Sequence, residues 1–133
     1  DKKSPELTYA GIAALKQSYV DAGQNVLLVD AGDHIQGTAY GSMDDGETII
    51  KLMSEAGYDL ATPGNHEFDY GMARAKAAMK EAAFPYVSCN WVDLRTGLKV
   101  LPSIKIFTIG GARIAFVGVT TRRPLPSPLR LTS

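Results

Sequence analysis

Cysteine is nearly absent from this chain, and its scarcity excludes the disulfide-stabilised class of small proteins. Cys89 is the only cysteine in 133 residues, so no internal disulfide can form. Net charge is absent as well, because 14 acidic residues balance 14 basic ones. A neutral chain has no bulk attraction to nucleic acid or to a membrane surface. No apolar run reaches membrane-spanning length, so we expect neither a nucleic-acid partner nor a membrane-spanning segment.

The pattern of apolar residues predicts an α/β domain. Helices are predicted at residues 9–21, 47–56 and 68–83. Shorter apolar runs predict strands at 26–29, 59–62 and 85–88, and a hairpin of strands 104–109 and 114–119 around Gly110 and Gly111. This order predicts a mainly parallel sheet with crossover helices and a C-terminal β-hairpin.

The most informative motif is Gly64-Asn65-His66-Glu67, followed two residues later by Asp69. It lies where a predicted strand gives way to a predicted helix. In α/β sheets ligands bind at the carboxyl ends of the strands, and a helix N-terminus favours anions such as phosphate. An amide, an imidazole and two carboxylates on one turn therefore indicate metal-assisted phosphate chemistry.

A second polar turn, Asp30-Ala31-Gly32-Asp33-His34, follows the strand predicted at 26–29. Carboxyl ends of neighbouring parallel strands lie at the same edge of a sheet, so we expect Asp33 and Asn65 to lie within about 5 Å of each other, in reach of a common cation. Oxygen and imidazole ligands suit Mn, Zn or Fe, and a pair of such ions can clamp the oxygens of a phosphate ester.

These two blocks resemble signature motifs of the calcineurin-like metallophosphoesterases. The longer segments 29–38 and 63–71 are similar to the bacterial 5′-nucleotidase branch, which includes UDP-sugar hydrolases and cyclic phosphodiesterases/3′-nucleotidases, and Pro85 to Asn90 also resembles it. The resemblance extends from about Tyr9 to Thr121. It implies the layered sheet of that family, present in part, and metal-dependent hydrolysis of nucleotide phosphate esters.

The resemblance also implies residue roles. Asp33 would bridge two divalent ions, Zn, Mn or similar, and Asn65 would ligate the second ion. His66 would be the catalytic transition-state residue, with Asp69 holding its ring. The implied substrate is a nucleotide or nucleotide sugar, and the implied location is extracellular, periplasmic or at the cell surface.

Several family blocks are missing from the sequence. No Asp-x-His block precedes the first helix, and His34 and His66 are the only histidines, whereas the family uses further histidines on later strands. Each ion normally needs four to six donors, so we expect a fragment of an enzyme that is inactive by itself. The alternative is a non-catalytic or partner-binding module, and self-association through an exposed sheet edge is expected in either case.

The domain organisation follows from composition. Residues 1–121 are predicted to form the partial metallophosphoesterase domain. Residues 122–133 are rich in proline, depart from the family pattern and are predicted to form a separate tail.

Simpler interpretations exist for each candidate residue. Asp33 could be a turn or helix-cap residue, and Asn65 could cap the third predicted helix. His66 could be a surface turn residue, and Asp69 a first-turn carboxylate that complements the helix dipole. We expect Glu67 to stabilise its loop through hydrogen bonds, and His34 to be a loop histidine without a ligand role.

Overall fold

The computed structural model describes residues 8–35 and 46–120. Two of the predicted helices have the predicted bounds: α1 is Tyr9–Asp21 and α2 is Glu47–Ala56. The Thr8 hydroxyl caps α1 by accepting from the Gly11 N–H at 3.0 Å. α2 ends at Gly57, whose positive φ of 84° stops the helix. The start of α1 and the end of α2 therefore have local causes that the sequence carries.

The parallel sheet is shorter than predicted. β1 is Val29–Asp30 and β2 is Leu60–Ala61, paired in parallel with Val29 opposite Leu60. The predicted third strand, 85–88, is present only as a parallel bridge between Ala61 and Tyr86. Of the strand predicted at 26–29, only Val29 is in β1, which continues one residue further, to Asp30. β2 thus lies between β1 and the segment around Tyr86, and both neighbours run parallel to it, as expected.

The polar segments after β1 and β2 leave the sheet at the same edge, as expected for parallel strands. We call residues 31–35 the Asp33 loop and residues 63–69 the His66 turn. The strand ends from which they leave are joined to each other by a backbone hydrogen bond, Thr62 N to Asp30 O at 3.1 Å. Their positions are therefore set by the pairing of β1 with β2.

The helix predicted at 68–83 is interrupted. A 3-10 helix covers His66–Phe68, and α3 follows at Met72–Glu81. Gly71 separates them with a φ of 93°, a value that no residue inside a right-handed helix adopts. The break places the polar end of the motif on a turn that is distinct from α3.

The predicted hairpin is confirmed. β3 is Ile104–Ile109 and β4 is Ala112–Val117, antiparallel, with Ile109 opposite Ala112. The second strand begins two residues earlier than predicted because the turn consists of Gly110 and Gly111 alone. Both glycines have positive φ, 57° and 79°, as a tight two-residue hairpin turn requires.

The core lies between α2, α3 and the parallel strands. Its buried residues are Ile49, Met53, Ala61, Ala75, Met79, Phe84, Tyr86 and Trp91. α1, in contrast, contributes no buried residue. Leu15, Tyr19 and Val20 each remain more than two-fifths exposed. The α/β class is thus confirmed, with α1 at the margin of the core, against which its Tyr9 packs.

Two sequence-based predictions concern other parts of the chain. The tail predicted at 122–133 lies outside the described residues, so the domain boundary at 121 stays a prediction. Within the described ranges, no helix combines the length and apolarity that a membrane crossing needs.

Candidate functional site

The Asp33 loop and the His66 turn are in direct contact. The His66 N–H donates to Asp33 Oδ1 at 3.0 Å. The backbones approach so closely that a Cβ on Gly32 would lie 2.8 Å from the Gly64 Cα. A Cβ on Gly64 would overlap the Asp33 carboxylate oxygen. Glycine is therefore required at both positions by close approach, and the two polar segments share one site.

Glu67 joins the two segments. Its Oε2 accepts the Asp33 N–H at 2.9 Å and the Gly64 N–H at 2.6 Å. The side chain is only 3% exposed, so the two N–H groups replace water as partners of the carboxylate. The expected loop-stabilising role of Glu67 is confirmed, and the structure adds that the loop it stabilises includes Asp33.

Asp33 has an unusual backbone. Its φ is 63°, and it is the one non-glycine residue with positive φ in the part of the chain that the structure describes. Aspartate tolerates this left-handed region better than most residues, and strained conformations persist where the surroundings fix them. Glu67 holds the backbone N–H, and His66 holds the carboxylate. The side chain is thereby aimed at the edge shared by both segments.

His66 and Asp69 form a pair. His66 Nδ1 lies 2.8 Å from Asp69 Oδ2, across one turn of the 3-10 helix. Both side chains are about one-quarter exposed, so the pair lies at the surface of the site. The carboxylate fixes the ring through Nδ1 and leaves Nε2 as the nitrogen that can face a substrate. The catalytic roles of both residues stay predictions.

Asn65 occupies the N-cap position of the 3-10 helix, yet its side chain makes no capping hydrogen bond. The capping interpretation therefore lacks the contact that defines it. Asn65 and Asp33 stay predicted metal ligands. Within residues 8–35 and 46–120, no three His, Cys, Asp or Glu side chains are grouped so that they could hold a metal ion.

His34 is more deeply placed than a loop histidine was expected to be. Its side chain is 3% exposed. Nδ1 lies 2.9 Å from Asp30 Oδ1, and Nε2 lies 2.9 Å from the Tyr86 hydroxyl. Glu67 Oε1 is 3.4 Å from Nδ1. We call Asp30, His34, Glu67 and Tyr86 the buried network.

Tyr86 was not singled out from the sequence. Burial raises the pKa of its hydroxyl, and the Glu67 and Asp30 carboxylates raise it further. Its sequence signals were its place on a predicted strand beside the two polar segments and within the stretch from Pro85 to Asn90 that resembles the family. Asp30, in comparison, was expected to bond backbone, and it does accept the Gly32 N–H at 2.8 Å.

The geometry of two polar segments on parallel strand ends agrees with the match to a protein family. The chain matches the description "Calcineurin-like phosphoesterase" over residues 8–130. The chain belongs to the calcineurin-like phosphoesterases. Members of this family use divalent metal ions, and its fold accounts for the layered α/β arrangement described above.

Within this family, the chain is similar to individual proteins named 5′-nucleotidase and UshA. A snake venom 5′-nucleotidase from Gloydius brevicauda is 37% identical over 123 residues, which are 86% of this chain and 21% of that protein. Protein UshA from Salmonella pullorum is 32% identical over 110 residues, 83% of this chain and 20% of that protein. This phosphoesterase chain therefore spans about a fifth of the length of the curated relatives it matches.

A solved structure supports the same branch. The crystal structure of a 5′-nucleotidase precursor from Thermus thermophilus superposes with a TM-score of 0.74 at 34% identity. It covers 85% of this chain and 23% of that chain. The predicted resemblance to the 5′-nucleotidase branch is thus confirmed at the level of sequence and fold.

Proposed function

We propose that the protein to which this chain belongs hydrolyses phosphate esters of nucleotides with the help of two divalent ions, of the zinc or manganese type. One observation carries the proposal: the His66 N–H bonds Asp33 Oδ1 at 3.0 Å, beside the His66–Asp69 pair. A carboxylate for metal and an imidazole for proton chemistry then share one site. The relatives named 5′-nucleotidase support the same reaction.

The residues present fit part of a two-ion site. Asp33 Oδ1 accepts from His66, which leaves Oδ2 for a cation, and the Asn65 amide is not used as a cap. Oxygen donors of this kind suit divalent ions that act on phosphate. Each ion needs four to six donors, so the proposal requires further donors from outside the described residues.

Bound ions would supply the positive charge that polarises the phosphate ester and activates water. The chain's own contribution is positioning and proton chemistry. His66 Nε2 faces the leaving oxygen and stabilises its developing charge, while Asp69 holds the ring through Nδ1. Asp33 accepts from the His66 backbone N–H, so the imidazole would keep a fixed position relative to ions held by the Asp33 loop.

The substrate proposed first is a nucleoside 5′-monophosphate, because several relatives are named 5′-nucleotidase. UDP-sugars and cyclic nucleotides remain the alternatives within the branch. Action outside the cytoplasm is proposed as well, since relatives include snake venom enzymes. Cell fractionation of the source organism tests this location.

The decisive experiment uses protein expressed from the complete coding sequence. It is assayed with Mn²⁺ and each of three substrates in turn: 5′-AMP, UDP-glucose and a 2′,3′-cyclic nucleotide. Asp33→Asn should abolish binding of two ions, measured by calorimetry. His66→Asn should leave the ions bound and lower kcat by about 100- to 1,000-fold. Asp93→Asn, outside the Asp33 loop and the His66 turn, is the control with unchanged kcat.

Two outcomes contradict the proposal. Wild-type protein that takes up no ions and hydrolyses none of the three substrates removes the function altogether. Equal loss of metal in the Asp33 and His66 variants shows that the roles are misassigned. Residues 1–133 alone should show no turnover, because the described residues supply only two of the donors that the proposal requires.

A further inference from the structure

We propose that His34 is a positioning residue of this site, one that sets the spacing between the Asp33 loop and the His66 turn through the buried network. The inference rests on the proposed function for its kinetic consequence. Its structural part concerns the chain's own residues and is tested separately below.

The His34 ring contacts residues from three separate segments of the chain. Asp30 ends β1, Glu67 lies on the turn after β2, and Tyr86 lies on the segment bridged to β2. His34 reaches Asp30 at 2.9 Å, Tyr86 at 2.9 Å and Glu67 at 3.4 Å. Because the ring is nearly fully buried, water does not replace these partners. The ring therefore acts as a spacer between the two polar segments.

The hydrogen positions follow from the partners. A carboxylate only accepts, so the hydrogen on His34 Nδ1 goes to Asp30, while Nε2 is hydrogen-bonded to the Tyr86 hydroxyl. Both ring nitrogens are thus occupied by protein groups. No lone pair is left for a metal ion, which separates this role from ligation.

Glu67 connects His34 to the Asp33 loop and the His66 turn. Its Oε1 is buried and has no hydrogen-bond partner among the described residues, whereas Oε2 accepts two N–H groups. The electropositive Nδ1–H edge of His34 lies 3.4 Å from Oε1 and orients the carboxylate. The Asp33 N–H donates to Glu67, and the His66 N–H in turn donates to Asp33 Oδ1. His34 is therefore linked to His66 through Glu67 and Asp33.

The kinetic consequence is specific. Displacing the partners that orient a metal ligand typically costs about 10- to 100-fold in metal affinity or activity. His34→Phe removes both ring hydrogen bonds and keeps an aromatic ring, so we expect kcat to fall about 10- to 100-fold with KM within about twofold. Tyr86→Phe removes one bond and should cost less.

Rescue distinguishes positioning from bulk stability. In His34→Asn the amide N–H replaces Nδ1–H toward Asp30, so this smaller side chain should recover more kcat than His34→Phe does. A purely structural role predicts the reverse: variants with lower Tm but wild-type kcat per folded molecule. Met79→Leu, a volume-conserving change in the core, is the control for stability loss alone.

The closing experiment reads the spacing without metal or substrate. Amide hydrogen exchange is measured on metal-free protein from the complete coding sequence, in wild type, His34→Phe, His34→Asn, Tyr86→Phe and Met79→Leu. The Asp33, Gly64 and His66 amides should exchange about tenfold faster or more in His34→Phe, while β3 and β4 amides keep their wild-type rates. Wild-type exchange at those three amides overturns the proposal.

The two proposals fail in different ways. An inactive wild type with faster exchange in the His34 variants removes the proposed function and retains the spacing role. An active wild type with unchanged kcat and exchange in the variants removes the spacing role alone. If His34→Phe does not fold, Tyr86→Phe and His34→Asn carry the same test, since each retains one of the two ring contacts.

Discussion

The joined Asp33 loop and His66 turn differ from the β3–β4 hairpin in where their hydrogen bonds go. In the loops, polar groups find partners from other strand ends, as Glu67 does with Asp33 and Gly64. In the hairpin, the backbone groups of each strand pair, among the described residues, with the adjacent strand. The loops are thus fixed by long-range contacts, and the hairpin by local ones.

Burial follows the same division. Glu67 and Ser88 are buried polar residues near the strand ends, whereas apolar side chains of the hairpin remain exposed. Ile104 and Ile106 are each 45% exposed, and Val117 is 60% exposed. Hairpin turns are specified by local sequence, but precise spacing of polar groups requires several elements to agree. We expect substitutions in the loops to cost more than substitutions in the hairpin.

The largest effect is expected at the closest backbone approach. Gly64→Ala places a Cβ against the Asp33 carboxylate and should lower the free energy of unfolding by about 3 kcal/mol. Gly111→Ala meets no atom within 4 Å but must keep a φ of 79°, so it should cost about 1 kcal/mol. Urea denaturation of both variants measures the difference. Equal costs would remove the contrast between the regions.

The next effect concerns charge. Glu67→Gln weakens the hydrogen bonds to the Asp33 and Gly64 N–H groups and should cost about 2 kcal/mol. Asp93→Asn changes a partly exposed carboxylate that accepts the Arg95 N–H at 2.9 Å, and should stay within about 0.5 kcal/mol. Thermal unfolding of the pair at pH 7 tests this. A cost for Glu67→Gln no greater than that of the control contradicts it.

A pH effect isolates Tyr86. Burial and nearby carboxylates raise its pKa in the fold, whereas an unfolded tyrosine has a pKa of about 10. Above that pH the unfolded chain loses a proton that the folded chain keeps, so stability falls as pH rises, by up to about 1.4 kcal/mol per pH unit. Tyr86→Phe should flatten this slope between pH 9 and 11 in urea denaturation. Tyr19→Phe, on the exposed face of α1, is the matched variant, and identical slopes in both would refute the prediction.

The smallest effect on stability is expected at the hairpin surface. Val117→Lys together with Val119→Lys should change the free energy of unfolding by less than about 0.5 kcal/mol, because both side chains are mostly exposed. The same change should reduce the predicted self-association, since exposed apolar side chains favour association. Sedimentation velocity on the 133-residue chain measures it. A wild-type chain that is already monomeric contradicts the prediction.

The sequence predicted the elements that have local signals. α1 and α2 were predicted with the observed bounds because the stop glycines Gly23 and Gly57 follow their apolar repeats. The hairpin was found through Gly110 and Gly111. The helix predicted at 68–83 was wrong at its start, because the positive φ of Gly71 is not visible in apolar spacing.

Other features depended on distant residues. The strand predicted at 85–88 became a single bridge because the observed pairing of Tyr86 is with Ala61 alone, and pairing is a property of two segments. Likewise, α1 has an apolar face by spacing, yet nothing in the described structure buries it fully. The structure brings Asp33, His66 and Asp69 into contact, while the site and the function of each residue in it stay predictions.

By itself, the sequence determined the α/β class, the two polar motifs and their family, because motif residues and periodicity are local properties of the chain. Only the tertiary structure decided that Glu67 joins the Asp33 loop to the His66 turn, that Gly64 must lack a side chain, and that His34 is held between Asp30 and Tyr86. These features arise where strand ends distant in sequence converge, and the close packing that selects them exists only in the folded chain.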